Sequence, residues 1–227
     1  MLADHDEPAA AANPWALRWE ARYRAGESLF GTAPNAFLAA QSGLLRPGMR
    51  ALCPGEGEGR NALFLAGLGL SVTAVDFAPT ALARAGARAR EAGLDVTTIL
   101  ADLALWSWPE AAFDLVALIF VQLDAGERVA VHRGAARALA PSGLLVLEAF
   151  ARGPARDCGP RGEASRYDVA MLREDFAGLE IVSLMEETTL LAEGAGHRGA
   201  ASVVRLVARA PAQGRRREEE SSASASA

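Results

Sequence analysis

The sequence predicts an α/β fold in which a doubly wound, mostly parallel seven-stranded sheet is closed by a C-terminal antiparallel hairpin. Three observations predict it. Strand-like and helix-like segments alternate between about residues 49 and 149, the pattern of successive parallel βαβ units. Two of the strand segments, 113–119 and 143–149, are apolar without alternation, as strands covered by helices on both faces are. After Phe150 the pattern breaks into a loop rich in Gly, Pro and Arg, from Arg152 to Arg166, and two strands then follow with no helical segment between them.

In chain order, residues 1–13 are expected to be a disordered end and residues 14–209 the folded domain. Helices near 15–25 and 34–45 precede the sheet. Strands at 49–53, 71–75 and 95–99 then alternate with helices at 60–68 and 79–92. The strand at 113–119 is followed by a helix at 126–139 and the strand at 143–149. A short helix at 169–176 leads into the hairpin, formed by Ile181 to Met185 and Ser202 to Ala208 and joined by a long connection through Glu193 and Arg198. Residues 210–227 end in alternating Ser and Ala and are expected to be a disordered, low-complexity tail.

Composition narrows the function classes. With 227 residues and 51% hydrophobic content, the chain can bury one sizeable core and has no room for a second full domain. Its 23 basic residues are all arginine, its acidic residues number 28, and the net charge is -5. Nucleic acid is therefore not the expected partner, because tracking phosphates needs a basic face and Arg215 to Arg217 are cancelled by Glu218 to Glu220. Two cysteines, Cys53 and Cys158, make neither a disulfide framework nor a metal-ligand spacing, which fits a reducing cytoplasm. The acidic start of the chain lacks the apolar segment of a secretory signal, and the longest apolar run, Leu115 to Val121, is too short to span a bilayer. The expectation is a cytoplasmic monomer or homodimer acting on a small molecule without a metal.

The chemistry-bearing stretch is Ala51 to Asn61, with the strand that follows it. Glycines recur at Gly55, Gly57 and Gly59, a helical pattern starts, and a second apolar strand ends on Asp76, 21 residues after the first glycine. Glycine lets backbone approach a ligand closely, and a carboxylate at that distance can accept hydrogen bonds from two ribose hydroxyls. A dinucleotide fingerprint needs its third glycine at the position of Arg60, so a nicotinamide oxidoreductase is disfavoured. Asp102, just past the third strand, can reach an adenine amino group or cap the next turn. Phe120 and Gln122 leave the fourth strand, where they either flank a bound cofactor or serve as core and cap.

Outside the sheet, Trp15, Trp19 and Tyr23 recur every fourth residue on one helical face, with Phe30 beyond. Such a stripe is core or a lid that keeps water from a reacting centre. Near the other end, His197 and Arg198 form a loop pair, and Arg205 sits among Val203, Val204, Leu206 and Val207, where an arginine needs a partner or a ligand.

Gly55 to Gly59 resembles the first motif of class I S-adenosylmethionine-dependent methyltransferases, although this chain has Cys53 where those enzymes carry Asp or Glu. More specifically, the segment Trp19–Gly31, Pro34 to Leu38, Gly57 to Ala62, Thr73 to Asp76, Ala101 to Leu103, Ile119–Phe120, and Glu193–Gly194 with His197 to Gly199 resemble the tellurite-resistance and thiopurine methyltransferase-like group. The resemblance runs from about Trp15 to Ala208 and implies a Rossmann-like fold with S-adenosyl-L-methionine as cofactor. It implies cofactor contacts from the glycine turn, from Asp76 with Phe77, from Asp102 with Leu103, and from Phe120. It also implies that Trp19, Tyr23 and Phe30 cover the cofactor and that His197, Arg198 and Arg205 form the catalytic group. The implied acceptor is a small soft nucleophile: a thiol, a thiopurine, or a selenium or tellurium oxyanion. Two departures from the group, Val121 to Leu123 in place of His-Leu-Pro and a shortened loop around Cys158, keep other readings open. These are an N- or O-methyltransferase of a small metabolite and a catalytically silent cofactor-binding protein.

Overall fold

The computed structural model describes residues 13–26, 28–153, 157–160 and 162–212. Of the ends expected above to be disordered, 1–13 and 210–227, residues 1–12 and 213–227 lie outside the described residues, whereas Asn13 caps a helix and Ala210 is buried. Seven strands make one sheet: β1 (Arg50–Pro54), β2 (Ser71–Asp76), β3 (Val96–Leu100), β4 (Phe113–Ile119), β5 (Leu139–Phe150), β6 (Glu180–Glu193) and β7 (His197–Arg209). Their order is β3-β2-β1-β4-β5-β7-β6. The first five run parallel, and β7 runs antiparallel to both β5 and β6. The doubly wound sheet with its antiparallel end is therefore the predicted one.

Helices cover both faces, which explains the uninterrupted apolar strands. On one face Leu52, Val116, Leu118, Leu145 and Leu147 pack with Val131 and Ala135 of α5 (Ala125–Ala138) and Leu172 of α6 (Val169–Asp175). On the other, Ala51, Cys53, Leu115, Ala117 and Val146 meet Leu38 of α2 (Ala36–Ala40) and Ala62 and Leu65 of α3 (Arg60–Gly67). Successive residues of β1, β4 and β5 thus go to opposite layers, and both layers are hydrophobic. α4 (Pro79–Glu91) lies against β2 and β3 and carries α1 (Pro14–Ala25) on its outer side.

Two elements depart from expectation. The helix expected at 34–45 is only five residues of α2, capped by the Asn35 side chain, followed by a single 3-10 turn at Ser42–Leu44. Gly43 weakens the helix there, and the Gln41 side chain bonds back to the Phe37 carbonyl. The hairpin is much longer than expected. Residues Glu186 to Glu193 and His197 to Ala201, read as connection, belong to strands, and only Gly194 to Gly196 turn between them. Gly194 has φ +67°, and a Cβ there would lie 2.3 Å from the Gly31 nitrogen. The bare backbone lets the hairpin tip dock on residues 29–31, where the Gly196 amide also donates to the Leu29 carbonyl.

Candidate functional site

Between β1 and β4 the strand order changes direction, and a ligand crevice in such sheets opens at the carboxyl ends of the strands beside that point. A cavity lies there. Its floor is the glycine turn, which is tied to β2 by the Gly55 amide donating to the Val75 carbonyl at 2.7 Å. Asp76 closes β2 and is almost fully buried. One carboxylate oxygen accepts from the Gly57 amide (2.8 Å) and the other from the Ala78 amide (2.9 Å), which leaves lone pairs on a carboxylate that lines the cavity. Burial pushes its pKa up to about 6 despite these amides.

Glu56 and Arg60, beside the turn, were not among the sequence candidates. Glu56 Oε1 accepts from the Asn61 and Ala62 amides, both at 2.8 Å, and so caps α3, whose preceding glycine has no side chain to do it. Burial raises the Glu56 carboxyl to about 7. Arg60 donates from Nη2 to Glu193 Oε2 at 2.7 Å, while its Nη1 is buried without a hydrogen-bond partner at the cavity wall. The available signal was position: a charged residue opening a helix immediately after a ligand turn faces what the turn holds.

Phe77, Asp102 and Leu103 form the opposite wall with Ile119. Asp102 accepts from the Asn13 side-chain amide at 2.7 Å and from the Ala104 amide at 3.0 Å. Asn13 is also the N-cap of α1, so the helix is pinned across the cavity. Midway along α1, Glu20 accepts from the Thr80 amide and hydroxyl (3.1 and 2.6 Å), supplying the cap that Ala78 cannot give α4. Arg84 holds the Tyr23 and Gly26 carbonyls (2.8 and 2.7 Å), and Glu58 of the glycine turn accepts from the Ser28 and Leu29 amides (3.0 and 2.9 Å). Trp19, Tyr23 and Phe30 consequently roof the cavity. The Tyr23 hydroxyl lies over Gly57, 2.5 Å from where a Cβ would stand, so only glycine fits beneath it. Gly55 lines the cavity directly; Gly57 and Gly59 shape the turn.

His197 opens β7 and is buried among aromatic rings. Its ring centre lies 4.5 Å from those of Phe30 and Phe120 and 5.2 Å from that of Phe150. Phe120 holds its place with φ +53°, a left-handed backbone that is uncommon for a bulky residue. His197 Nδ1 lies 3.5 Å from Glu193 Oε2 without making a hydrogen bond. Burial lowers the imidazole pKa, Glu193 works against it, and the Arg60 and Arg22 charges add to the lowering.

The other two residues of the expected catalytic group stand elsewhere. Arg198 is exposed and does not line this cavity. Arg205 lies opposite Glu148 in the β5–β7 ladder, donates to Glu148 Oε1 at 2.6 Å, pairs with Glu187, and covers the Phe37 ring at 5.0 Å. Its guanidinium is taken up by carboxylates. It still connects to the site, because Asn35 bonds both Glu148 and Glu193, and Glu193 holds Arg60.

Residues 51–143 match the family described as a methyltransferase domain. Compared by sequence, the chain matches no curated protein. Its fold is that of many solved structures. One comes from work on the conversion of a disulfide bond into a thioacetal group during echinomycin biosynthesis; it is 24% identical with TM-score 0.68 over 93% of this chain and 98% of that one. TehB from Haemophilus influenzae is 21% identical with TM-score 0.69 over 79% of this chain and 63% of its own. The Burkholderia thailandensis 1,6-didemethyltoxoflavin-N1-methyltransferase, solved with 1,6-didemethyltoxoflavin and S-adenosylhomocysteine, is 19% identical with TM-score 0.66 over 92% and 93%.

Proposed function

We propose that this chain, an S-adenosylmethionine-dependent methyltransferase, donates the methyl group to a small soft nucleophile: a thiol, a thiopurine, or a selenium or tellurium oxyanion. The cofactor supplies a methyl already activated on a sulfonium, so the protein's part is to bind, align and exclude water. The cavity's own residues fit that cofactor. The spare lone pairs of Asp76 suit ribose hydroxyls, and Asp102 between Phe77 and Leu103 suits the amino group of a flanked adenine. The unpartnered Arg60 Nη1 matches a carboxylate and Glu56 an ammonium, the two charges of a methionine tail. Glu56 thereby stands in for the acid absent at Cys53.

The observation that carries the acceptor class is His197, an imidazole enclosed by Phe30, Phe120 and Phe150, where burial lowers its pKa. An apolar cage disfavours a strongly hydrated nucleophile and accommodates a polarisable one, which within that class favours the thiol and the thiopurine over the oxyanions, and the imidazole can take the proton from a neutral thiol. Trp19, Tyr23 and Phe30 keep water out. Arg205 is a positioning residue acting through Glu148, Asn35 and Glu193 on Arg60; Arg198 receives no role. The motif resemblance and a structural relative studied for a reaction at sulfur point the same way. The likeness to an N1-methyltransferase keeps nitrogen acceptors as the second reading.

Calorimetric titration with S-adenosylmethionine, S-adenosylhomocysteine and NADH should show binding of the first two alone; failure of both sulfur nucleosides would sink the cofactor assignment. In an acceptor screen, aromatic thiols should outpace amines and phenols. His197→Gln should cut turnover of a thiol about 100-fold below the thiol's pKa and much less above it, in keeping with the usual contribution of a general base. An equal loss at both pH values would remove the proton-acceptor role.

A further inference from the structure

A second cavity of about 480 Å³ adjoins the first, and the two share Trp15, Trp19, Phe30, Gln122 and His197 as a common wall. Their charges are opposite. The first presents Glu56, Asp76, Asp102 and Glu127 against Arg60 alone, which suits a sulfonium and hydroxyl groups. Among the described residues, the charged ones lining the second are Arg18 and Arg22, with His197 and no carboxylate, in a chain of net charge -5. Trp15, Arg18, Trp19 and Arg22 have the spacing of a single helical face, so α1 turns one continuous stripe toward this chamber. The Arg18 guanidinium sits 5.3 Å over the Trp15 ring and that of Arg22 sits 4.4 Å over Trp19. Neither forms an ion pair with a described carboxylate, and both are exposed at the mouth.

We infer that the chamber beyond His197 is the acceptor site and that Arg18 and Arg22 select a planar, negatively charged acceptor. The inference rests on the methyltransferase reading above and narrows its substrate class. The volume falls within the roughly 300–1,000 Å³ of small-molecule pockets and is far more than a compact oxyanion fills. Indole faces offer stacking to a flat ring, and guanidinium groups offer charge and directed donors. His197 and Phe30, in the shared wall, mark where the two ligands meet. There a lone pair of the acceptor forms the new bond to the methyl carbon, the carbon–sulfonium bond breaks with its pair to sulfur, and one positive and one negative charge cancel. Each charge reaches that point from a chamber of the opposite sign.

The test uses the full chain saturated with S-adenosylhomocysteine and titrated calorimetrically with thiosalicylate, a flat thiol bearing a carboxylate, and with its uncharged methyl ester. The wild type should bind the acid at least 10-fold more tightly than the ester, and the double variant Arg18→Gln/Arg22→Gln should erase that preference. Affinity for S-adenosylhomocysteine should change less than twofold, which also reports that the variant is folded. Single variants Arg18→Gln and Arg22→Gln should each lose part of the preference. No binding of thiosalicylate to the wild type, or equal weakening of acid and ester in the double variant, would overturn the inference. Thiosalicylate that binds with the expected preference but is not methylated would leave the chamber in place and count against the soft-nucleophile reading.

Discussion

Glu56 and Asp76 are carboxylates held against their own preference for water, and both line the cavity at the carboxyl ends of the strands. For Glu56, folding raises the carboxyl from 4.5 to about 7, so the folded chain binds the proton more tightly than the unfolded one. The ionised form is disfavoured by folding. Its cost is absent below about pH 4.5, grows as pH rises toward 7 and is complete above that, at up to about 3 kcal/mol. Glu56→Gln can keep both amide bonds on Oε1, so unfolding experiments from pH 5 to 8 should show the variant gaining on the wild type as pH rises. A pH-independent difference would contradict this. Asp76, raised to about 6, protonates sooner on acidification than an ordinary carboxylate, and an oxygen that carries the proton becomes a donor where an acceptor is needed. Cofactor affinity should therefore fall as pH drops below about 6, and Asp76→Asn should bind weakly at every pH. The residues that sequence reasoning reached, Asp76, Asp102 and His197, could be found because their neighbours in the chain announce a strand end or a motif. Arg205 announced only that it needed a partner. That partner, Glu148, lies 57 residues away and across a ladder that no local pattern reveals.

Among the elements, β4 and β5 could be read directly, because double-sided burial writes an unbroken apolar run. β6 could not, since it is an edge strand whose residues are mostly part-exposed and whose hydrophobic signal beyond Met185 is faint. Missing its length placed His197 in a loop, whereas it opens a strand with a fixed direction. α1 has a hydrophobic spacing that reads equally as core or as lid, and its tethers decide for a roof. Glu20 is the most telling of these, a side chain on one helix that caps the next. Glu20→Ala should cost about 1 kcal/mol, as loss of an ordinary N-cap does, or about 2–4 °C in melting temperature for a domain of this size. Stopped-flow displacement should also show S-adenosylhomocysteine leaving several-fold faster. An unchanged release rate would mean that the helix is scaffold and takes no part in closure.

For the molecule as a whole, the antiparallel end of the sheet is joined to the wall of the first cavity by one polar chain: Arg205, Glu148, Asn35, Glu193 and Arg60. Glu148 is fully buried, so removing its cation leaves a charge without compensation. Arg205→Met should destabilise the fold by about 3–5 kcal/mol, and adding Glu148→Gln should recover a large part of it. Denaturant titration of the two variants checks this, and no recovery would mean that Arg205 acts through packing on Phe37. The contact of Gly194 with Gly31 has a different kind of consequence, for how such a chain can vary over generations. Hairpin tips are ordinarily where length drifts freely and where inserted peptides or labels are tolerated. Here the tip is seated on the segment that carries Phe30, so an extra residue at 194–196 would lift His197 away from its ring partners. Insertions and reporter sequences should therefore survive elsewhere on the surface and fail at the one turn where convention would place them.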